Sequence, residues 1–324
     1  MSREKTLPRG LIILSIFSLT VMGLLTFVDY DWTLWLRNNR IQWWADFTSQ
    51  TIFEGDPFGG SDFGMLFMLI PILGYFLSYK ESRFKQLQRW RPYLGFLLFS
   101  GLGTGLGIVH SLKWVMGRAR PYLVIRKGVP YTNWFEFGPL HISDGPFFGS
   151  MPSGHTATAI LMISFAYILA ADRTHLFSVR IAGWFWGIFS VFFAVSMAVG
   201  RSMTLHHWLT DGIGIILIDW MAVHLIFFTI LKVPRQMTYF RTHGYLPEPL
   251  RYWEWRLLWR LLVIVLAIMA GIIGIKSAVY HKGPLLVLML IPALVVGTIT
   301  IKNLIITYNR IMRGFITDSR KPSA

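Results

Sequence analysis

Apolar and polar positions fall into long blocks along this chain, not into the alternation of a half-buried strand or the narrow stripe of a surface helix. Nearly uninterrupted apolar runs lie near residues 10–28, 62–79, 93–114, 153–171, 181–200, 207–231, 257–275 and 285–307. Each approaches the ~20 helical residues that cross a hydrocarbon core of about 30 Å. In lipid a spanning segment has to satisfy its backbone hydrogen bonds internally, which favours helices. The pattern therefore predicts eight transmembrane helices in an all-α, multi-pass helical bundle. The first run ends in FVDYDW with no small-residue cleavage site, so it is expected to stay as a membrane anchor. Residues 31–50, DWTLWLRNNRIQWWADFTSQ, are Trp-rich and too polar to span. They read as an amphipathic segment in one membrane interface, with a lid over a site as the alternative.

Composition agrees with the pattern. Of 324 residues, 54% are hydrophobic and only 15% charged, against about 25% charged in soluble domains. The absence of cysteine removes thiolate metal sites, iron-sulfur clusters and thiol nucleophiles. Lys and Arg number 31 against 16 acids, a net charge of +15, and in so apolar a chain that excess belongs at cytoplasmic helix ends, not on nucleic acid. With a cytoplasmic N-terminus, the inside segments hold 19 of these cations and the outside segments 10. Both termini are thus expected inside, in a plasma membrane or bacterial inner membrane. One feature resists the rule: six of the ten outside cations lie in two short segments, 113–152 and 201–206.

Those segments, with the start of the fourth run, hold three polar clusters. In KWVMGRARP, Lys113 and Arg120 are two helical turns apart and share a face if the helix continues, although Pro121 discourages continuation; both could equally snorkel to headgroups. In SMPSGHT, Pro152 suits a first helical position, so that Ser153, Gly154 and His155 would point free backbone N–H groups outward, an arrangement that attracts anions. An ordinary helix cap with an incidental histidine is the plainer reading. In GRSMTLHHWLTD, Arg201 closes one helix, and His207 and Asp211 stand i, i+4 on the first turn of the next. That spacing would let the carboxylate take an imidazole N–H and leave the other ring nitrogen free. His206 would lie ~100° away on the same helix and reads as interfacial, with substrate contact as the minor alternative.

The topology puts all three clusters at one membrane face. Three cations and a helix N-terminus suit a multiply charged oxyanion, and two histidines with an aspartate supply a nucleophile and an acid. The same cations disfavour a metal, since they would repel it and only one acid is at hand. The glycines of GLGTGLG, residues 101–107, lie mid-membrane away from any strand, so they read as a helix-packing surface, not a phosphate loop.

These residues resemble the type 2 phosphatidic acid phosphatase (PAP2) superfamily, with its pattern K-x6-RP, then PSGH, then SR-x5-H-x3-D. Here the first is Lys113, Arg120 and Pro121, the second Pro152, Ser153, Gly154 and His155, the third Arg201, His207 and Asp211; Gly200 stands where the pattern has serine. The resemblance implies a six-helix catalytic core, residues 1–231, with a cytoplasmic loop, two extra helices and a basic tail in 232–324. It further implies that Lys113, Arg120 and Arg201 bind phosphoryl oxygens with help from Ser153 and Gly154. His207 would attack phosphorus, Asp211 would orient it, and His155 would protonate the leaving oxygen, with no cofactor or metal. The expected activity is hydrolysis of a membrane lipid phosphate or diphosphate through a phosphohistidine at the outer face. A phosphotransferase acting between lipids is the runner-up. A proton-coupled transporter using His110, Asp219 and His224 is the reading from another class. Trp134, Phe135, Phe137, Phe147 and Phe148 would frame a headgroup entrance or simply face the membrane.

Overall fold

The computed structural model describes residues 6–52, 55–79, 85–144, 149–171, 175–244 and 252–318. Helix dominates and, among the described residues, no strand forms beyond one isolated bridge between Thr51 and Asp56. Helix α1 (Thr6–Thr26) turns through 70° into α2 (Asp29–Asn38), and α3 (Gln42–Ser49) follows. The aspartates at 29 and 31 in the first turn of α2 complement its positive N-terminal end. The polar stretch at 31–50 thus forms two short helices, with Trp32, Trp35 and Trp43 exposed. Helix α4 (Gly60–Leu77) starts at the carboxylate of Asp62, which accepts from the backbone N–H of Gly59 and Ile52 and from the hydroxyl of Thr51.

The next span is a composite. Helix α5 (Arg91–Ser100) passes through a π-helical stretch, Gly101–Ile108, into α6 (Val109–Met116). The GLGTGLG glycines form that π stretch, and leucine side chains fill the room they leave, with Leu161 against Gly105, Leu258 against Gly103 and Leu262 against Gly107. Gly117, at φ +60°, ends α6; a Cβ there would sit 1.9 Å from the Leu140 carbonyl oxygen, so only glycine fits. Helix α7 (Pro121–Lys127) begins on a proline, whose missing N–H costs nothing at a first position. Then come α8 (Gly154–Ile160), α9 (Ile163–Ala171), α10 (Phe177–Met203), α11 (Leu209–Leu225) with a π turn at Ile226–Ile230, α12 (Val233–His243), α13 (Trp253–Tyr280) and α14 (Leu290–Asp318).

Seven helical stretches among the described residues are long and apolar enough to cross a membrane, and the bent α1–α2 pair makes an eighth. Their inner faces pack a core around Phe96, Phe99, Ile160, Met197, Ile216, Phe227 and Leu258. Their outer faces leave Phe185, Ile188, Phe192, Ile291 and Leu294 exposed, a surface too apolar for water and suited to acyl chains. Helix α13 is held at both ends. Glu254 accepts from the hydroxyl of Tyr75 at 3.1 Å, and Lys276 donates to the carbonyls of Val115 at 2.9 Å and Leu140 at 3.4 Å. Beyond it, Ser277 meets His141 Nε2 at 3.1 Å and Lys282 pairs with Asp144 at 2.8 Å. The last hairpin is thereby fastened to the end of α6 and to the loop that follows α7.

Candidate active site

Where α6, α8, α10 and α11 end or begin near one another, the three polar clusters come together. Lys113 sits in the last turn of α6 and Arg120 immediately before α7. Arg201 lies in the last turn of α10, 2% exposed, and its Nη1 donates to the Ser49 carbonyl at 3.5 Å. Lys113, Arg120 and Arg201 all act electrostatically on His207, and Lys113, Arg201 and His207 act on His155.

The start of α8 differs from the sequence reading. Pro152 is not its first residue: Ser153, in an extended conformation, is the N-cap and Gly154 opens the helix. The Ser153 hydroxyl accepts from Thr156 Oγ1 at 3.0 Å and from Thr156 N at 3.4 Å. A capping serine satisfies one of the orphan N–H groups of the first turn and leaves those of Gly154 and His155 ahead of it. The Nε2 atom of His155 is buried without a hydrogen-bond partner among the described residues.

His207 and Asp211 are also arranged differently from the expected i, i+4 pair. Helix α11 begins at Leu209, so His207 precedes the N-cap, Trp208, and does not stand one turn above Asp211. The carboxylate oxygen is 3.8 Å from His207 Nδ1, too far for a hydrogen bond. Nδ1 instead donates to the Ser150 carbonyl at 2.6 Å, while the Ser150 hydroxyl donates to Asp211. Asp211 thus reaches the imidazole through Ser150. A carbonyl only accepts, so the hydrogen is on Nδ1 and the lone pair on Nε2. Burial first, then Arg201, Lys113, Arg120 and His206, hold this imidazole well below its ordinary pKa. It is a neutral ring with a free lone pair in a cationic setting. His206 likewise lies outside any helix; its Nδ1 is 3.0 Å from Thr204 Oγ1, and burial with Arg201, Arg120 and Arg40 pushes it down to about 4.

Sequence reasoning missed Arg118 and Asp29. The Arg118 guanidinium is fully buried and bridges two carboxylates, Asp211 Oδ1 at 2.7 Å and Asp29 Oδ2 at 2.8 Å. It also donates to Thr210 Oγ1, the Thr132 carbonyl and Tyr131. Asp29 in turn accepts from the backbone N–H and hydroxyl of Thr210. The available signals were an aspartate at a membrane boundary and an additional arginine within GRARP. Gly200, the departure from the serine of the pattern, faces α3: a Cβ there would lie 2.3 Å from Thr48 Oγ1. The Thr48 side chain of α3 occupies the space that a side chain at position 200 would need.

The aromatic stretch is only partly described. Phe135 and Phe137 are exposed and Trp134 donates to Thr26 Oγ1 at 2.7 Å, while Phe147 and Phe148 lie outside the described residues. Asp219, on α11, is fully buried with neither carboxylate oxygen hydrogen-bonded among the described residues, so no such bond joins it to His110 or His224. The ring of His224 meets Tyr167 OH at 3.1 Å. Among the described residues no group of three His, Cys, Asp or Glu could hold a metal ion.

Comparison with curated proteins and with solved structures returns no match. The family model described as PAP2 superfamily matches residues 93–235, the stretch that carries Lys113, Arg120, Ser153, Gly154, His155, Arg201, His207 and Asp211. Over this segment, somewhat less than half of its length, the chain is similar to the PAP2 superfamily.

Proposed function

We propose that this membrane protein is a lipid phosphatase that hydrolyses a lipid phosphate or diphosphate through a phosphohistidine on His207. Similarity to the PAP2 superfamily over residues 93–235 supports phosphatase chemistry, and the long apolar helices support a substrate that stays in the bilayer. The observation that carries the reading is the state of His207: Nδ1–H tied to the Ser150 carbonyl, ring neutral, Nε2 lone pair free beside Lys113, Arg120 and Arg201.

In this reading the three cations hold the phosphoryl oxygens together with the N–H of Gly154 and the hydroxyl of Ser153. Nε2 of His207 attacks phosphorus in line, and the bond from phosphorus to the leaving oxygen breaks as His155 gives that oxygen a proton. The second step runs in reverse: His155 takes a proton from water, the resulting hydroxide attacks phosphorus, and the P–N bond breaks to release inorganic phosphate. Fixed cations aimed at the charge that accumulates on a five-coordinate phosphorus contribute the largest share of the acceleration, and the covalent intermediate divides the displacement into two easier steps. Asp211, through Ser150 and under the charge of Arg118, keeps the ring in place. The positive-inside bias of the sequence supports an extracytoplasmic site with both termini cytoplasmic.

The test is a panel of lipid phosphates and diphosphates given to the purified full chain in neutral detergent, with no gradient imposed. The expected outcome is phosphate release that His207→Ala reduces to background. Product masses that reveal a newly phosphorylated lipid in place of free phosphate would redirect the reading to transfer, and no reaction with any member would overturn it.

A further inference from the structure

Next to the phosphate-binding cations is a second group of arginines that the proposed reaction leaves unused. A pocket of about 460 Å³ is lined by Arg37, Arg40, Ser49, Tyr122, Arg126 and His206, with Asp46 as its one carboxylate among the described lining residues. The volume is within the range of small-ligand sites and exceeds what a lone ion needs. Its cations come from different elements: Arg37 from the last turn of α2, Arg126 from the last turn of α7, and Arg40 from the link into α3. Asp46 is already engaged, by Arg40 at 3.0 Å and by Gln42 at 2.9 Å. Arg37 and Arg126 have no carboxylate partner among the described residues. Either arginine alone would be an ordinary interfacial cation extending toward headgroups. Two of them converging with Arg40 on one concavity, against a single compensated acid, make a site with surplus positive charge.

The pocket adjoins the catalytic residues through its own wall. His206 precedes His207 in the chain and stands close enough to Arg40, Arg120 and Arg201 to feel all three. The Ser49 carbonyl accepts from Arg201, and Tyr122, two residues past Arg120, donates its backbone N–H to the Leu205 carbonyl at 3.2 Å. A phosphoryl group held by Arg120 and Arg201 therefore has this pocket beside it. Guanidinium groups match the paired oxygens of phosphate and carboxylate better than any other side chain.

We infer that the pocket of Arg37, Arg40 and Arg126 is a second oxyanion subsite, and that the preferred substrate is an amphiphile whose headgroup carries another anionic group besides the phosphoryl group removed. The inference rests on the phosphatase reading for its substrate, but the subsite can be tested without catalysis.

Two lipids with the same acyl chains serve as probes for the full chain in neutral detergent. Phosphatidic acid offers one phosphoryl group; phosphatidylglycerol phosphate adds a phosphodiester to its terminal phosphomonoester. The wild type should prefer the second, and Arg37→Ala/Arg126→Ala should lose about tenfold or more of that preference in kcat/KM, mainly through KM, while Arg37→Lys/Arg126→Lys keeps part of it. A ratio that the alanine variant leaves unchanged overturns the inference. Calorimetric binding of inorganic tripolyphosphate at fixed ionic strength supplies the catalysis-independent arm: about tenfold weaker binding in the alanine variant supports the subsite, and equal binding overturns it. Lost tripolyphosphate affinity in a protein whose wild type hydrolyses neither lipid would keep the subsite and reject the phosphatase.

Discussion

At the scale of single residues, Arg118 holds the site together while standing apart from the proposed chemistry. One fully buried guanidinium faces two fully or nearly fully buried carboxylates. Removing it leaves both without a counter-ion, and breaking a buried pair in this way costs about 3–5 kcal/mol. Arg118→Ala is thus expected to lower the detergent unfolding midpoint sharply, with Arg118→Lys intermediate because an ammonium lacks the fork that reaches both acids; thermal denaturation of the two variants checks the order. Protonation belongs to the same scale. An unfolded histidine takes a proton near pH 6.5, whereas folded His206 does so at about 4 and His207 only well below the ordinary value. Between those limits the unfolded chain binds more protons, so stability is complete above about pH 6.5 and falls as pH drops toward 4. Unfolding midpoints measured across that window should decline, and His206→Gln should flatten the decline. The sequence displayed both histidines and Asp211 but not how they touch. The i, i+4 reading assumed a helix starting before His207, and a start two residues later is enough to pass the hydrogen bond from Asp211 to Ser150.

Among the elements, apolar runs located the spans because lipid permits few alternatives to a helix. Their ends were less legible. The run at 93–114 belongs to a helical stretch extending from Gln86 to Lys127, and the run at 207–231 continues to His243, since amphipathic extensions add no apolar signal. Nor does hydropathy show which helix touches which. Glu254 and Lys276 flank the apolar run 257–275 as isolated charges, and only the fold reveals that they secure α13 to Tyr75, Val115 and Leu140. The amine of Lys276 bonds to the last turn of the helix that carries Lys113 and to the loop packed on Gly117. Lys276→Met should leave those carbonyls unsatisfied, at about 1–3 kcal/mol for a buried acceptor, and loosen residues 138–144. Hydrogen exchange of that loop should speed up, with kcat falling severalfold; unchanged protection would mean that the hairpin is attached by apolar packing alone.

At the scale of the whole molecule, a bundle of long apolar helices carries a cationic site at one end. Such a site was visible before the fold because its residues cluster in three short segments, whereas the Arg37, Arg40 and Arg126 pocket was not, its arginines being scattered among ordinary interfacial positions. The central claim is that His207 becomes phosphorylated while His155 serves first as acid and then as base. An aryl phosphate separates these duties, because phenoxide departs without a proton whereas water still needs a base to attack the intermediate. The most direct measurement is therefore a rapid-mixing experiment on His155→Ala with nitrophenyl phosphate, followed by mass spectrometry of the alkali-quenched protein. The account predicts a burst of about one nitrophenol per chain, then turnover slower by ~10² to 10⁴-fold, with an alkali-stable phosphoryl group on His207. Nitrophenol release without a burst and without any phosphoryl group on His207 would contradict it.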